Sequence, residues 1–123
     1  MHEASIAMAA IEQAIEVARR HGASRVTRIE MEIGILRAVV PEIMQAAFEA
    51  CAIGTAAEGA SLDLQVKAAL ARCRACDQQF KPDLEAISFA CPACGQADAD
   101  LLIGNDIILK SVECETPEEA ESA

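Results

Sequence analysis

Apolar side chains recur near the start of the chain at a spacing of three and four. Met8, Ile11, Ile15 and Ala18 share one side, while Glu12, Glu16, Arg19 and Arg20 lie opposite. This pattern predicts an amphipathic helix over residues 3–21. Arg19, Arg20 and His21 put positive charge in its last turn, where it complements the helix dipole, and Gly22 can leave the helix in a left-handed conformation. The period then changes to two. Thr27, Ile29, Met31 and Ile33 alternate with Arg28, Glu30 and Glu32 and stop at Gly34, as in a strand with one buried face.

Pro41 suits the first position of a second helix, predicted over Pro41–Ala52, whose stripe holds Ile43, Met44, Ala47, Phe48 and Cys51. Gly54 and Gly59 bracket the following loop. Leu62, Leu64, Val66, Ala68 and Leu70 then alternate with Asp63, Gln65, Lys67 and Ala69, which predicts one strand running into the first of two cysteine pairs. Gly104-Asn105 signals a turn, and residues 107–112 read as a third strand. The acidic tail from about Glu115 is expected to be disordered. Each amphipathic element needs an apolar partner. The order therefore predicts an α+β fold: a small three-stranded sheet covered by two helices, with an inserted zinc-ribbon-like unit of four cysteines. The expected division is residues 1–70 plus 104–114 as one α+β domain, 71–103 as the insert, and 115–123 as the tail.

The chain has 123 residues, room for one compact domain with a small appended unit. Its apolar fraction is 53%, yet Phe48, Phe80 and Phe89 are its only aromatics, so the core must be aliphatic and alanine-rich. A net charge of −10 opposes binding to nucleic acid or anionic membrane and leaves cations and basic protein surfaces as partners. No stretch reaches the roughly 20 apolar residues of a membrane span, and the first ten residues lack the pattern of an export signal. The expected location is therefore the cytoplasm.

Six cysteines in such a chain point to metal or thiol chemistry, because the cytosol keeps thiols reduced. Cys73-Arg74-Ala75-Cys76 and Cys91-Pro92-Ala93-Cys94 have ribbon-type spacing, in which each short loop aims two thiolates at one Zn(II). Four thiolates fill the ion's sphere and leave no position for a reacting water, so the zinc is expected to be structural. Redox chemistry, the alternative, would more naturally use a single reactive pair. Gly95 follows the second pair, where a left-handed residue is useful, and Asp77 holds the matching place after the first. Cys51 reads as a small buried hydrophobe, and Cys114 has no assigned partner.

Met1-His2-Glu3 offers a second metal site. Histidine at position two blocks removal of the initiator methionine. The Met1 amine, the deprotonated backbone nitrogen of His2 and its Nδ1 can then close fused chelate rings, with three nitrogens in one plane. Ni(II) and Cu(II) favour such a tetragonal nitrogen set, and the fourth position can go to Glu3, water or a partner group. Protons must leave as the metal enters, so affinity falls at low pH.

Met1-His2-Glu3, the helix-strand-helix-strand order and the paired cysteines together resemble the HypA/HybF family of hydrogenase maturation factors. Further stretches carry the resemblance: Ile33-Gly34, Ala47-Phe48-Glu49, "EGASLDL", "CPACG" and "GNDIILKSVE". It spans Met1 to about Val112 and implies a nickel metallochaperone, not an enzyme. Such a protein binds Ni(II) as transient cargo at Met1, His2 and Glu3. It keeps Zn(II) at Cys73, Cys76, Cys91 and Cys94, and works with a HypB-type GTPase to supply the large subunit of [NiFe]-hydrogenase. A monomer or weak dimer is expected. The chain departs from many relatives at Ile35, where they carry an acid, and offers His21 as its only later histidine. A zinc-ribbon adaptor for nucleic acid is the main rival, but it would ordinarily show a basic face with exposed aromatics. A pure interaction protein differs by binding no nickel.

Overall fold

The computed structural model describes residues 3–117. Helix α1 (Glu3–Arg20) leads to strand β1 (Arg25–Gly34), a 3-10 turn (Ile35–Arg37) and helix α2 (Pro41–Ala52). Strands β2 (Ser61–Lys67), β3 (Leu70–Cys73), β4 (Gln79–Phe80), β5 (Ala99–Ile103) and β6 (Ile107–Glu115) follow. They form two three-stranded sheets, ordered β2-β1-β6 and β4-β3-β5. The fold is α+β, as the patterning predicts. Two compact units divide it: the chain up to Glu32 with Val39–Gln65 and the part from Ile108, and Ile33–Ala38 with Val66–Ile107.

In the first unit the two helices pack against each other, and α1 turns Ile6, Ala7, Ala10, Ile11, Ala14 and Ala18 inward. The buried stripe differs from the one expected. Met8 and Ile43 are both 53% exposed, while the alanines Ala7, Ala10, Ala14 and Ala18 of α1 are buried. Helix α2 contributes Met44, Phe48 and Ala52, and β1 contributes Val26, Ile29 and Met31. Pro41 takes the first helical position, where a missing N–H costs nothing.

The other side of β1 carries a polar ladder to its neighbours. Arg28 reaches Asp63 of β2 at 2.6 Å and Glu113 of β6 at 3.6 Å. Ser111 donates to Glu30 at 3.0 Å, and Lys110 pairs with Glu32, also at 3.0 Å. These cross-strand pairs favour one register of the three strands. Strand β6 outruns its expected end at Val112, and the Ser24 N–H donates to the Glu115 carbonyl at 3.0 Å. The expectation of a disordered tail otherwise falls mostly on residues 118–123, outside the described part.

The strand expected over residues 62–70 is two strands. It breaks at Ala68-Ala69, after which β3 enters the second sheet between β4 and β5. Alternation alone could not show this break, since both halves keep period two. A small core holds the second sheet together, made of Ala71, Cys73, Phe80 and Cys91 with Ala99 packed against it.

Candidate metal centre

Two loops of matching backbone geometry present the four cysteines. In the first, the Asp77 N–H donates to the Cys73 carbonyl at 2.8 Å and the Cys73 N–H to the Gln78 carbonyl at 2.9 Å. In the second, the Gly95 N–H donates to the Cys91 carbonyl at 2.7 Å and the Cys91 N–H to the Gln96 carbonyl at 2.8 Å. Each loop closes through a left-handed residue, Asp77 at φ 63° and Gly95 at φ 76°. Asp77 therefore occupies the position that glycine fills in the second loop, as the spacing predicts.

The sulfurs of Cys73, Cys76, Cys91 and Cys94 all lie within 4.8 Å of one another. Cys73 and Cys94 are 3.5 Å apart, and so are Cys76 and Cys91. A tetrahedral ion with bonds of about 2.3 Å to sulfur requires sulfurs roughly 3.8 Å apart, so the donor set fits zinc. These separations are far too long for disulfides, and all six cysteines of the chain are free thiols. Cys73 and Cys91 are buried and anchor the site in the small core, while Cys76 and Cys94 are exposed.

Electrostatics favour a cation here. Burial pushes the Cys91 thiol up, but the N–H groups of Cys94 and Ala93 and the sulfurs of Cys76 and Cys94 outweigh it and bring it down to about 7. The Gln78 N–H favours the Cys76 thiolate, yet the Cys91 sulfur, burial and the other two sulfurs push that thiol up to about 12. Cys94 is also raised: the Gln96 N–H opposes the shift, and the Cys73 sulfur drives it. Four thiolates this close repel one another, and a divalent ion removes the repulsion. Zinc and protons compete for the same sulfurs, so affinity should rise with pH. Zinc loading near pH 7 should release protons, and the apparent affinity should fall with decreasing pH across the neutral range, more steeply below about 7, where Cys91 also takes up a proton. A zinc titration in weak buffer with a pH indicator, repeated with a competing chelator at several pH values, measures both.

An ion-pair clamp ties the first loop to β5. The Arg74 guanidinium meets Asp98 at 2.8 Å and Asp100 at 2.5 Å, and its backbone N–H donates to the Asp98 carbonyl at 2.8 Å. Asp100 holds the arginine in its charged form, and Arg74 lowers the Asp100 carboxyl in return. Sequence reading missed this clamp, because residues 26 positions apart give no periodic signal. It also missed β4 and β5; Leu101-Leu102-Ile103 was the available hint.

At the other candidate site, Met1 and His2 lie outside the described residues. Glu3 opens α1, and its Oε2 accepts the Val40 N–H at 3.1 Å. Val40 caps the N-terminus of α2, so this carboxylate satisfies a helix-terminal donor and complements the dipole of α2. His21 closes α1, its Nδ1 lying 2.9 Å from the Val17 carbonyl, and the four-cysteine cluster does not include it. Cys51 is half-buried, with its sulfur 4.0 Å from the Ala4 carbonyl. Cys114 is half-buried on β6.

Comparison with known proteins agrees with this geometry. A family model described as "Hydrogenase/urease nickel incorporation, metallochaperone, hypA" matches residues 1–114. The chain is 40% identical over 115 residues to the hydrogenase maturation factor HypA of Geotalea uraniireducens, covering 94% of this chain and all of that one. It is 36% identical to the factor of the same name from Chlorobium limicola, covering 94% and 97% of the two chains. The solution structure of the Ni metallochaperone HypA from Helicobacter pylori superposes with a TM-score of 0.67 at 25% identity, covering 94% and 99%. A second HypA solution structure gives a TM-score of 0.70 at 26% identity, covering 93% and 96%. Among the described residues no helix is long and apolar enough to cross a membrane. The chain belongs to the HypA family and is a nickel metallochaperone of hydrogenase maturation.

Proposed function

We propose that the N-terminus is the nickel-carrying site. The Met1 amine, the His2 backbone nitrogen and the His2 Nδ1 take up one Ni(II) as cargo, and Glu3 holds the start of the helix behind them. Residues 1–70 with 104–114 then form the nickel-binding part. Residues 71–103 form the zinc-binding part, in which Cys73, Cys76, Cys91 and Cys94 hold structural Zn(II). The cargo passes by ligand exchange to the large subunit of [NiFe]-hydrogenase in the cytoplasm, with a HypB-type GTPase assisting.

The hydrogen bond from the Val40 N–H to Glu3 Oε2 is the observation that carries this reading. It ties the third residue to the start of α2. Three nitrogens in a plane leave one coordination position exchangeable, as handover requires.

Nickel titration of the zinc-loaded, tag-free protein, followed by calorimetry and absorption, tests the assignment. One Ni(II) per chain is expected, and His2→Ala should weaken binding at least about a hundredfold, as loss of a chelating imidazole and its ring implies. The Met1 α-amine, with an ordinary value of about 7.7–8.0, must lose its proton, so binding should weaken as pH falls. Equal affinity in the variant would place the nickel elsewhere.

A further inference from the structure

The two cysteine loops share one backbone geometry but are fastened differently. The first continues out of β3, where Arg72 pairs with Asp100 and Cys73 with Ala99 of β5. The Arg74 N–H carries this ladder one residue into the loop, onto the Asp98 carbonyl at 2.8 Å. Side chains repeat the tie. Arg74 Nε and Nη2 both reach Asp100 Oδ1, at 2.9 Å and 2.5 Å, and Nη1 reaches Asp98 Oδ1 at 2.8 Å. Arg72 meets Asp77, the residue that turns the first loop left-handed, at 3.7 Å.

The second loop shows no such side-chain tie among the described residues. Between its cysteines stand Pro92 and Ala93, which carry no polar side-chain group, where the first loop has Arg74 and Ala75. The bonds from the Gly95 N–H to Cys91 and from the Cys91 N–H to Gln96 are internal to the loop. Cys91 anchors one end of it in the small core, while Cys94 at the other end is exposed. An isolated surface ion pair contributes little. A guanidinium shared by two carboxylates and backed by a backbone bond is a network, in which each contact keeps the others in geometry. Local opening starts where the fastening is weakest.

We infer that Arg74 is a positioning residue of the zinc centre, holding the first loop so that ligand exchange begins at Cys94, the sulfur at which a thiol-directed electrophile enters. This rests on zinc occupying the four cysteines, as proposed above. Burial does not make the selection, since Cys76 and Cys94 are both exposed and Cys73 and Cys91 both buried.

N-ethylmaleimide labelling of the full-length, zinc-loaded protein, with initial rates followed at each cysteine by mass spectrometry, tests this. In that reaction the sulfur bonds to one alkene carbon and the other carbon takes a proton from water, leaving a neutral thioether that no longer holds the ion. Cys94 should be labelled about fivefold faster than Cys76, the scale of a small exposed ion-pair network. Arg74→Gln should raise the Cys76 rate toward that of Cys94 and leave Cys73 and Cys91 slow. Asp100→Asn, which keeps the arginine, should do the same and gives the readout if Arg74→Gln does not fold. Equal rates at Cys76 and Cys94 in wild type, or a faster Cys76, would overturn the inference. So would an unchanged ratio in the variants, or a rise at all four cysteines alike, which marks a merely structural arginine. In each of those cases the zinc assignment survives. A wild-type protein that retains no zinc would overturn that assignment and the inference with it.

Discussion

Cys73→Ser is expected to abolish zinc retention and unfold the second sheet. Cys73 is fully buried against Ala71, Phe80 and Cys91, and its sulfur is one of the four that converge. Serine offers a much poorer ligand for zinc and places an unpartnered hydroxyl in a core of only four buried residues. That core is too small to hold the sheet by hydrophobic burial alone. Structural zinc contributes about 10–16 kcal/mol of apparent binding energy in small zinc domains near neutral pH, far more than this cluster can supply. Zinc content by atomic emission should fall from one per chain to almost none. Amide signals of Leu70–Cys73 and Ala99–Ile103 should collapse toward random-coil positions, while those of the two helices persist. Full zinc content with an unchanged spectrum would remove the basis for a structural metal.

A second large effect is expected at Gly34, where the reason is steric. A Cβ added there would lie 2.1 Å from the Gly104 carbonyl carbon, 2.2 Å from its oxygen and 2.5 Å from the Asn105 nitrogen, all of them backbone atoms that cannot rotate away. The same two segments are joined by the Gly34 N–H to the Asp106 carbonyl at 2.7 Å and the Leu36 N–H to the Gly104 carbonyl at 2.8 Å. Alanine must break this junction or force the chains apart, at about 3 kcal/mol or more. Gly22→Ala is the control. Gly22 also ends an element, at φ 72°, but nothing lies within 4 Å of its added Cβ, so only the left-handed penalty of about 1 kcal/mol applies. Urea unfolding of both variants checks the ordering; a Gly34→Ala protein as stable as Gly22→Ala would refute the steric account.

The four-cysteine cluster was readable in the sequence because much of its chemistry is local. Two residues between paired cysteines restrict each loop to a few conformations that aim both sulfurs one way, and Asp77 and Gly95 already marked where each loop must turn left-handed. What brings the two loops together was not readable. The pairing of β3 with β5 and the Arg74 contacts with Asp98 and Asp100 connect residues with no periodic relation. The proposed N-terminal site is the opposite case, since its three candidate nitrogens belong to two adjacent residues. Tertiary structure adds the hydrogen bond from the Val40 N–H to Glu3.

By itself, the sequence determined the two helices, the first and last strands and the two paired-cysteine loops. Each depends on spacing within a few residues, and so on backbone geometry that neighbours along the chain dictate. Tertiary structure decided which apolar residues are buried, leaving Met8 and Ile43 outside and burying four alanines of α1. It also decided that one alternating run would split between two sheets at Ala68-Ala69. Periodicity reports which residues share a face, but close packing selects the face that is covered, and a strand's partners are set by contacts distant in sequence.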